Sequence, residues 1–120
     1  MIIRLSRLGW MKMNKIVSMY VAYVGKPEGK RRPVLIIENS ENEVLFYAIT
    51  SKFEHKSERI KKLYFHINDW QDSNLKKESW IDTGTLFVLS KEKIDFKYKD
   101  IAELSQKDLN RLEEFLKDRS

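Results

Sequence analysis

The chain has 120 residues, 42% hydrophobic and 12% aromatic, enough for one modest core and too apolar for a disordered chain. The 23 lysines and arginines against 18 acidic residues give a formal charge of +5, which favours polyanionic partners without naming one. Cysteine is absent, which excludes disulfides, thiolate metal sites and a cysteine nucleophile.

Taken in chain order, Met1 to Leu8 mixes Arg4 and Arg7 with short apolar stretches. No apolar run approaches the roughly 20 residues of a membrane span, and no small-residue cleavage site follows an apolar core. A cytoplasmic protein without membrane association is expected. Residues 1–15 read as an N-terminal arm, with Met11 and Met13 as possible true starts, and residues 16–120 as the folded domain. Ile16 to Val24 is β-branched and aromatic and predicts a strand ending at Gly25. A polar, basic Gly/Pro loop follows over 25–31. Pro33 opens a second strand over 34–38, where a ladder can lack a donor, and a turn at 39–42 leads into a third strand over 44–49.

Residues 50–62 are strongly charged and predict a long surface loop with one helical turn, followed by a short strand over 63–67. Asn68 to Glu78 is a connection with Trp70 tucked inward, and two short strands are expected at 79–81 and 85–89 around Gly84. In the tail the period changes: Leu104, Leu109, Leu112 and Leu116 fall near helical spacing. Ser105 and Asp108 resemble a capping box, so the helix is expected over 106–117. The fold class is therefore mainly β with a C-terminal helix (α+β): a small, strongly bent antiparallel sheet or open barrel.

Lys30-Arg31-Arg32-Pro33 precedes a strand apolar along its whole length, a pattern of burial on both faces. Arg32 is held extended by the proline after it, and a fixed guanidinium presents paired donors to a phosphate. From composition alone, a solvated charge run at a loop end is the favoured reading. Counting inward from the 39–43 turn sets Arg32 almost opposite Thr50, so a guanidinium and a hydroxyl share one sheet edge. An ordinary strand-end threonine is the plain alternative. His55 and His66 lie in different segments and receive no catalytic role, and no His/Asp/Glu spacing matches a metal site.

These residues resemble the PemK/MazF toxins. Arg32-Pro33-Val34-Leu35-Ile36-Ile37 looks like that family's arginine–proline signature, and Ala48-Ile49-Thr50-Ser51 like its second signature. Leu75 to Trp80 resembles the leucine–lysine–serine–aromatic segment, and Ile101 to Ser105 with the helix after it resembles the family's ending. The ordered match spans residues 16–117.

The resemblance implies an SH3-like small barrel of the PemK/MazF/CcdB type and a metal-independent endoribonuclease without a cofactor. Such a toxin cleaves single-stranded RNA by 2′-hydroxyl attack, leaving a 2′,3′-cyclic phosphate and a 5′-hydroxyl. By position it makes Arg32 and Thr50 catalytic, with Lys30, Arg31, Ser51, Lys52, Ser79 and Trp80 along the RNA path. It also implies a homodimer and a cognate antitoxin whose acidic, disordered tail occupies the RNA groove. Some members carry an arginine and an aspartate after the serine–aromatic segment. Here those positions hold Asp82 and Gly84, so Asp82 is a candidate base and also a candidate turn carboxylate. A non-catalytic toxin, a nucleic-acid binder or a gyrase-binding module on the same CcdB-like fold is the alternative. Base preference is expected from the loops 25–31 and 51–62.

Overall fold

The computed structural model describes residues 14–22, 29–91 and 98–118. The arm expected over 1–15 falls outside them as far as residue 13, as do positions 25–28 of the basic loop. The six strands are β1 (Lys15–Ala22), β2 (Gly29–Asn39), β3 (Glu43–Thr50), β4 (Tyr64–His66), β5 (Trp80–Ser90) and β6 (Tyr98–Glu103). Among the described residues there are also two helices, a single turn α1 (Glu58–Lys61) and the C-terminal α2 (Gln106–Asp118). All strand pairings are antiparallel, in one sheet of order β4-β5-β3-β2-β1-β6. The sheet is open and curled, with α2 packed on one face, as the mainly-β reading expects.

The uniformly apolar β2 does serve two faces. Leu35 and Ile37 enter the main core with Ile16, Leu45, Ile49, Ile81 and the α2 leucines, whereas Val34 and Ile36 join Val17, Met19, Val44 and Phe46 on the opposite face. Along α2, Leu109, Leu112 and Leu116 are buried at three- and four-residue spacing, which is one stripe of the helix. Phe115 widens that stripe and meets Phe65 edge-on, with centroids 5.5 Å apart. Ser105 caps the helix by accepting the Asp108 N–H at 3.1 Å.

Sequence reasoning placed the start of β2 at Pro33, whereas the strand already begins at Gly29 inside the stretch read as a basic loop, and it erred in two further places. The two strands expected around Gly84 are one eleven-residue strand, β5. Its pairing with β3 is nevertheless interrupted, because Phe46 pairs with Phe87 while Ala48 pairs with Asp82. Positions 83–86 turn toward β4 instead, where Thr83 donates through both its amide (3.0 Å) and its hydroxyl (2.6 Å) to the Leu63 carbonyl. A side chain at Gly84 would meet Leu63 Cδ1 at 3.0 Å and Asp82 Oδ1 at 3.1 Å, so the bare backbone permits this crossing. The second omission is β6, which pairs with β1 from Lys15–Glu103 to Met19–Tyr98. Its charged sequence, Tyr-Lys-Asp-Ile-Ala-Glu, carries little strand signature because it is an edge with one partner.

The loop after β4 returns to the far edge of the sheet. Ser73, fully buried, donates its hydroxyl to the Glu103 carbonyl at 3.1 Å, and Ser105 Oγ donates to Asp69 Oδ2 at 2.6 Å. The two edge strands are thereby joined through side chains rather than a ladder. That junction makes one wall of the groove described next.

Candidate functional site

The β2–β3 hairpin contains one bulge, and it decides which side chains meet. Beside the turn, Asn39 pairs with Val44 and Glu38 with Leu45; beyond the bulge at Ile37, Ile36 pairs with Phe46 and Val34 with Ala48. Carried on without the bulge, the first register would set Arg32 opposite Ser51. Continued two residues past its last pair, Val34–Ala48, the shifted register runs Arg32 toward Thr50 instead, on one face of the sheet. Directly opposed residues place their Cβ atoms roughly 4.5–5.5 Å apart. Thr50 in turn pairs with Trp80 and Trp80 with His66, so these three form one row across three strands, which the continued β2 register extends toward Arg32. Asp82 pairs with Ala48, one pleat repeat along the same face.

Arg32 and Thr50 both line a groove of about 860 Å³ that runs over the strand ends. Of the residues the sequence singles out, Arg31, Arg32, Thr50, Ser51, Lys52 and Ser79 line it. Lys30 lies in β2 with its backbone opposite Val21. The residues not foreseen are Asn74, Lys76 and Lys77 on one wall and Lys99 and Asp100 on the other. Spacing could not reveal them, because the first wall exists only through the side-chain junction and the second belongs to the unexpected β6. In total six cationic side chains face one carboxylate, Asp100, and that carboxylate is 3.2 Å from Lys15. The groove is therefore an anion site whose field is the sum of several exposed charges.

Thr50 Oγ1 accepts the Lys52 N–H at 3.0 Å, a local turn that uses a lone pair and leaves the hydroxyl proton to be donated outward. Arg32 is exposed at the groove edge, with Pro33 fixing the backbone beside it. Asp82 is half-buried and accepts the Gly84 N–H at 2.9 Å through Oδ1; it pairs across the ladder with Tyr64 and is not among the groove-lining residues. Tyr64 has its pKa raised above the ordinary 10.0, first by burial and then by the Asp82 charge, so the phenol stays neutral.

Trp80 is only 8% exposed and stacks on Phe53, with centroids 4.6 Å apart and planes 3° from parallel. Lys61 Nζ lies 5.0 Å from the Phe53 centroid. Trp80 is thus a packed member of the row rather than an exposed platform. Both ring nitrogens of His66 are occupied, Nδ1 by Asn68 Oδ1 at 2.7 Å and Nε2 by Glu78 Oε2 at 2.9 Å, so this histidine braces the groove wall. His55 is exposed in the loop after Phe53.

Among the described residues, no three His, Asp or Glu side chains are grouped as metal ligands, and no helix is long and apolar enough to cross a membrane. No curated protein matches the chain. A family model does: residues 12–118 match the PemK-like, MazF-like toxin of type II toxin–antitoxin systems.

Proposed function

The chain belongs to the PemK-like, MazF-like toxins of type II toxin–antitoxin systems, a family that implies an antitoxin partner, and we propose that it is a sequence-specific, metal-independent endoribonuclease of single-stranded RNA. The observation that carries this reading is the juxtaposition of Arg32 and Thr50 across one hairpin, at the edge of a groove lined by six cations. A binding module needs the cations alone. A guanidinium on a strand stiffened by proline, beside a hydroxyl whose proton is left to donate, suits a phosphate whose charge grows during reaction.

In this reading the 2′-hydroxyl of one nucleotide attacks the adjoining phosphorus. A bond forms from O2′ to phosphorus while the bond to O5′ breaks, giving a 2′,3′-cyclic phosphate and a 5′-hydroxyl. The proton lost from O2′ is balanced by the proton gained at O5′. Arg32 stabilises the non-bridging oxygens by charge; it keeps its proton and is no acid. Thr50 donates its hydroxyl to the same phosphate, held in orientation by the Lys52 N–H. Asp82 lies diagonal to Thr50 on the sheet face, where Cβ atoms stand somewhat closer than about 7–8 Å, a span one water bridges. We assign it as the base acting through that water. Arg31, Ser51, Lys52 and Ser79 hold the strand, as does Lys30 from the end of β2, and Trp80, stacked on Phe53, stiffens the row beside Thr50.

The protein acts in the cytoplasm as a homodimer, for which the exposed Phe87 (42%) and Val88 (55%) supply apolar surface. The acidic, disordered tail of its antitoxin competes for the same cations.

The test is cleavage of a long single-stranded transcript in EDTA by the parent, Arg32→Ala, Thr50→Ala and Asp82→Asn, with the new ends mapped. Discrete cuts with 5′-hydroxyl ends are expected from the parent. Loss of either phosphate contact lowers the rate about 10²- to 10³-fold, and Asp82→Asn lowers it about 10²-fold at unchanged RNA affinity. A folded parent that binds RNA without cutting it would move the assignment to a non-catalytic toxin on this fold.

A further inference from the structure

The groove wall formed by the loop between β4 and β5 is braced at every turn. Ser73 N–H donates to the Asp69 carbonyl, Asn74 N–H to Gln71 and Leu75 N–H to Trp70, each at 3.1 Å. Trp70 and Leu75 pack against the main core, and Glu78 is tied to His66. At the crest of this wall sits Asn74, whose φ of 56° makes it the one non-glycine residue in the left-handed region among those described. Its side chain is exposed, lines the groove, and makes no side-chain hydrogen bond to the described residues. Lys76 and Lys77 follow it along the same wall.

These neighbours divide the labour of recognition. Lysines and arginines hold phosphates without regard to sequence, whereas reading a base takes a paired donor and acceptor at a fixed place. Asn74 carries the one carboxamide among the groove-lining side chains, and it does so on a backbone locked by three turn hydrogen bonds. A carboxamide matches the adjacent N6–H donor and N7 acceptor of adenine. We propose that Asn74 reads an adenine of the bound RNA at a fixed offset from the phosphate held by Arg32 and Thr50. This deepens the endoribonuclease reading and rests on it for the cutting step. Specificity then lies in a rigid wall rather than in the segments 25–31 and 51–62, from which the sequence led one to expect it.

The left-handed backbone at position 74 is also what an asparagine in a turn provides without any ligand. Asn74→Gly separates the two roles, since glycine keeps the backbone and removes the carboxamide. Asn74→Asp keeps the shape and leaves acceptors only, which favours the N4 amine of cytosine. Two readouts are needed: the nucleotide profile around mapped cuts, and binding of 2′-O-methyl oligonucleotides that cannot be cleaved. In both, the parent is expected to prefer adenine at one position by about 5- to 150-fold. Asn74→Gly abolishes that preference alone, and Asn74→Asp moves it toward cytosine. Melting temperatures near the parent's accompany both variants.

Identical profiles for parent and Asn74→Gly would overturn the inference while cleavage stands. If the parent binds with an adenine preference that Asn74→Gly erases, yet cuts nothing, the inference holds and the endoribonuclease reading fails.

Discussion

Tyr64 and Asp82 face one another across β4 and β5, and the phenol's pKa is raised by its burial and then by that carboxylate. The folded state therefore keeps the phenolic proton to higher pH than the unfolded chain does. Above pH 10.0 the unfolded state deprotonates first, so the contribution is complete below that pH and is lost as pH rises through the folded value. The urea midpoint of the parent should consequently fall more steeply than that of Tyr64→Phe between about pH 9 and 11, both proteins sharing the same lysine titrations. Parallel curves would mean that neither burial nor Asp82 raises the phenol's pKa in the folded protein.

At this same scale the sequence was most legible where a hairpin could be counted. Arg32 and Thr50 emerged from a turn and two strands, although the bulge at Ile37 that sets their register has no signature in a run of isoleucines. Asn74 was illegible because an asparagine between Ser73 and Leu75 reads as turn chemistry until its φ and its surroundings are seen.

Among the elements, α2 was the most legible, since its leucines repeat at helical spacing and Ser105 announces its start. The expected capping box, however, is only half formed. Ser105 takes the Asp108 N–H, but the Asp108 carboxylate leaves the helix altogether. Fully buried, it accepts the amides of Asn68 (3.2 Å) and Asp69 (2.8 Å) and the Arg111 guanidinium (2.8 Å). Aspartate is too short to reach back as glutamate does, and here it lashes the helix to the start of the groove wall instead. Removing it strands two backbone donors, each costing about 1–3 kcal/mol when unsatisfied.

Asp108→Ala should therefore lower stability by roughly 2–5 kcal/mol, and Asp108→Asn, which retains one acceptor oxygen, by about half as much. Urea denaturation with an unchanged slope measures this directly. A loss below about 0.5 kcal/mol, the level of an ordinary surface substitution, would show that the lash carries no load. The charged β6 was missed for the opposite reason: an edge strand buries little, so its sequence need not look like a strand.

Over the whole molecule, a formal charge of +5 says little, yet the fold concentrates six cations from β2, β6, the loop after β3 and the groove wall around one acid. Nothing in the order of the residues announces that concentration, because Arg31, Lys52, Lys76 and Lys99 are distant in the chain and meet only when the sheet curls. Its consequence is measurable without any chemistry. A single strand that neutralises Z cations gives a slope of about −0.7Z in log K against log salt, so six contacts predict a slope near −4 and roughly a 10²-fold loss of affinity from 50 to 200 mM salt.

Each of Lys52→Ala, Lys76→Ala and Lys77→Ala should flatten that slope by about 0.7 and weaken all sequences alike, in contrast to Asn74→Gly. Fluorescence anisotropy of a non-cleavable oligonucleotide over that salt range gives the slopes. The same titration with an acidic peptide in place of RNA should show a shallower slope that the same lysine variants flatten further, because a polycarboxylate draws on the same charges without a condensed counterion layer. A slope near −1, or lysine variants that leave it unchanged, would place the nucleic acid on a different face of the protein. In that event the pairing of Arg32 with Thr50 would have to be explained by stability alone.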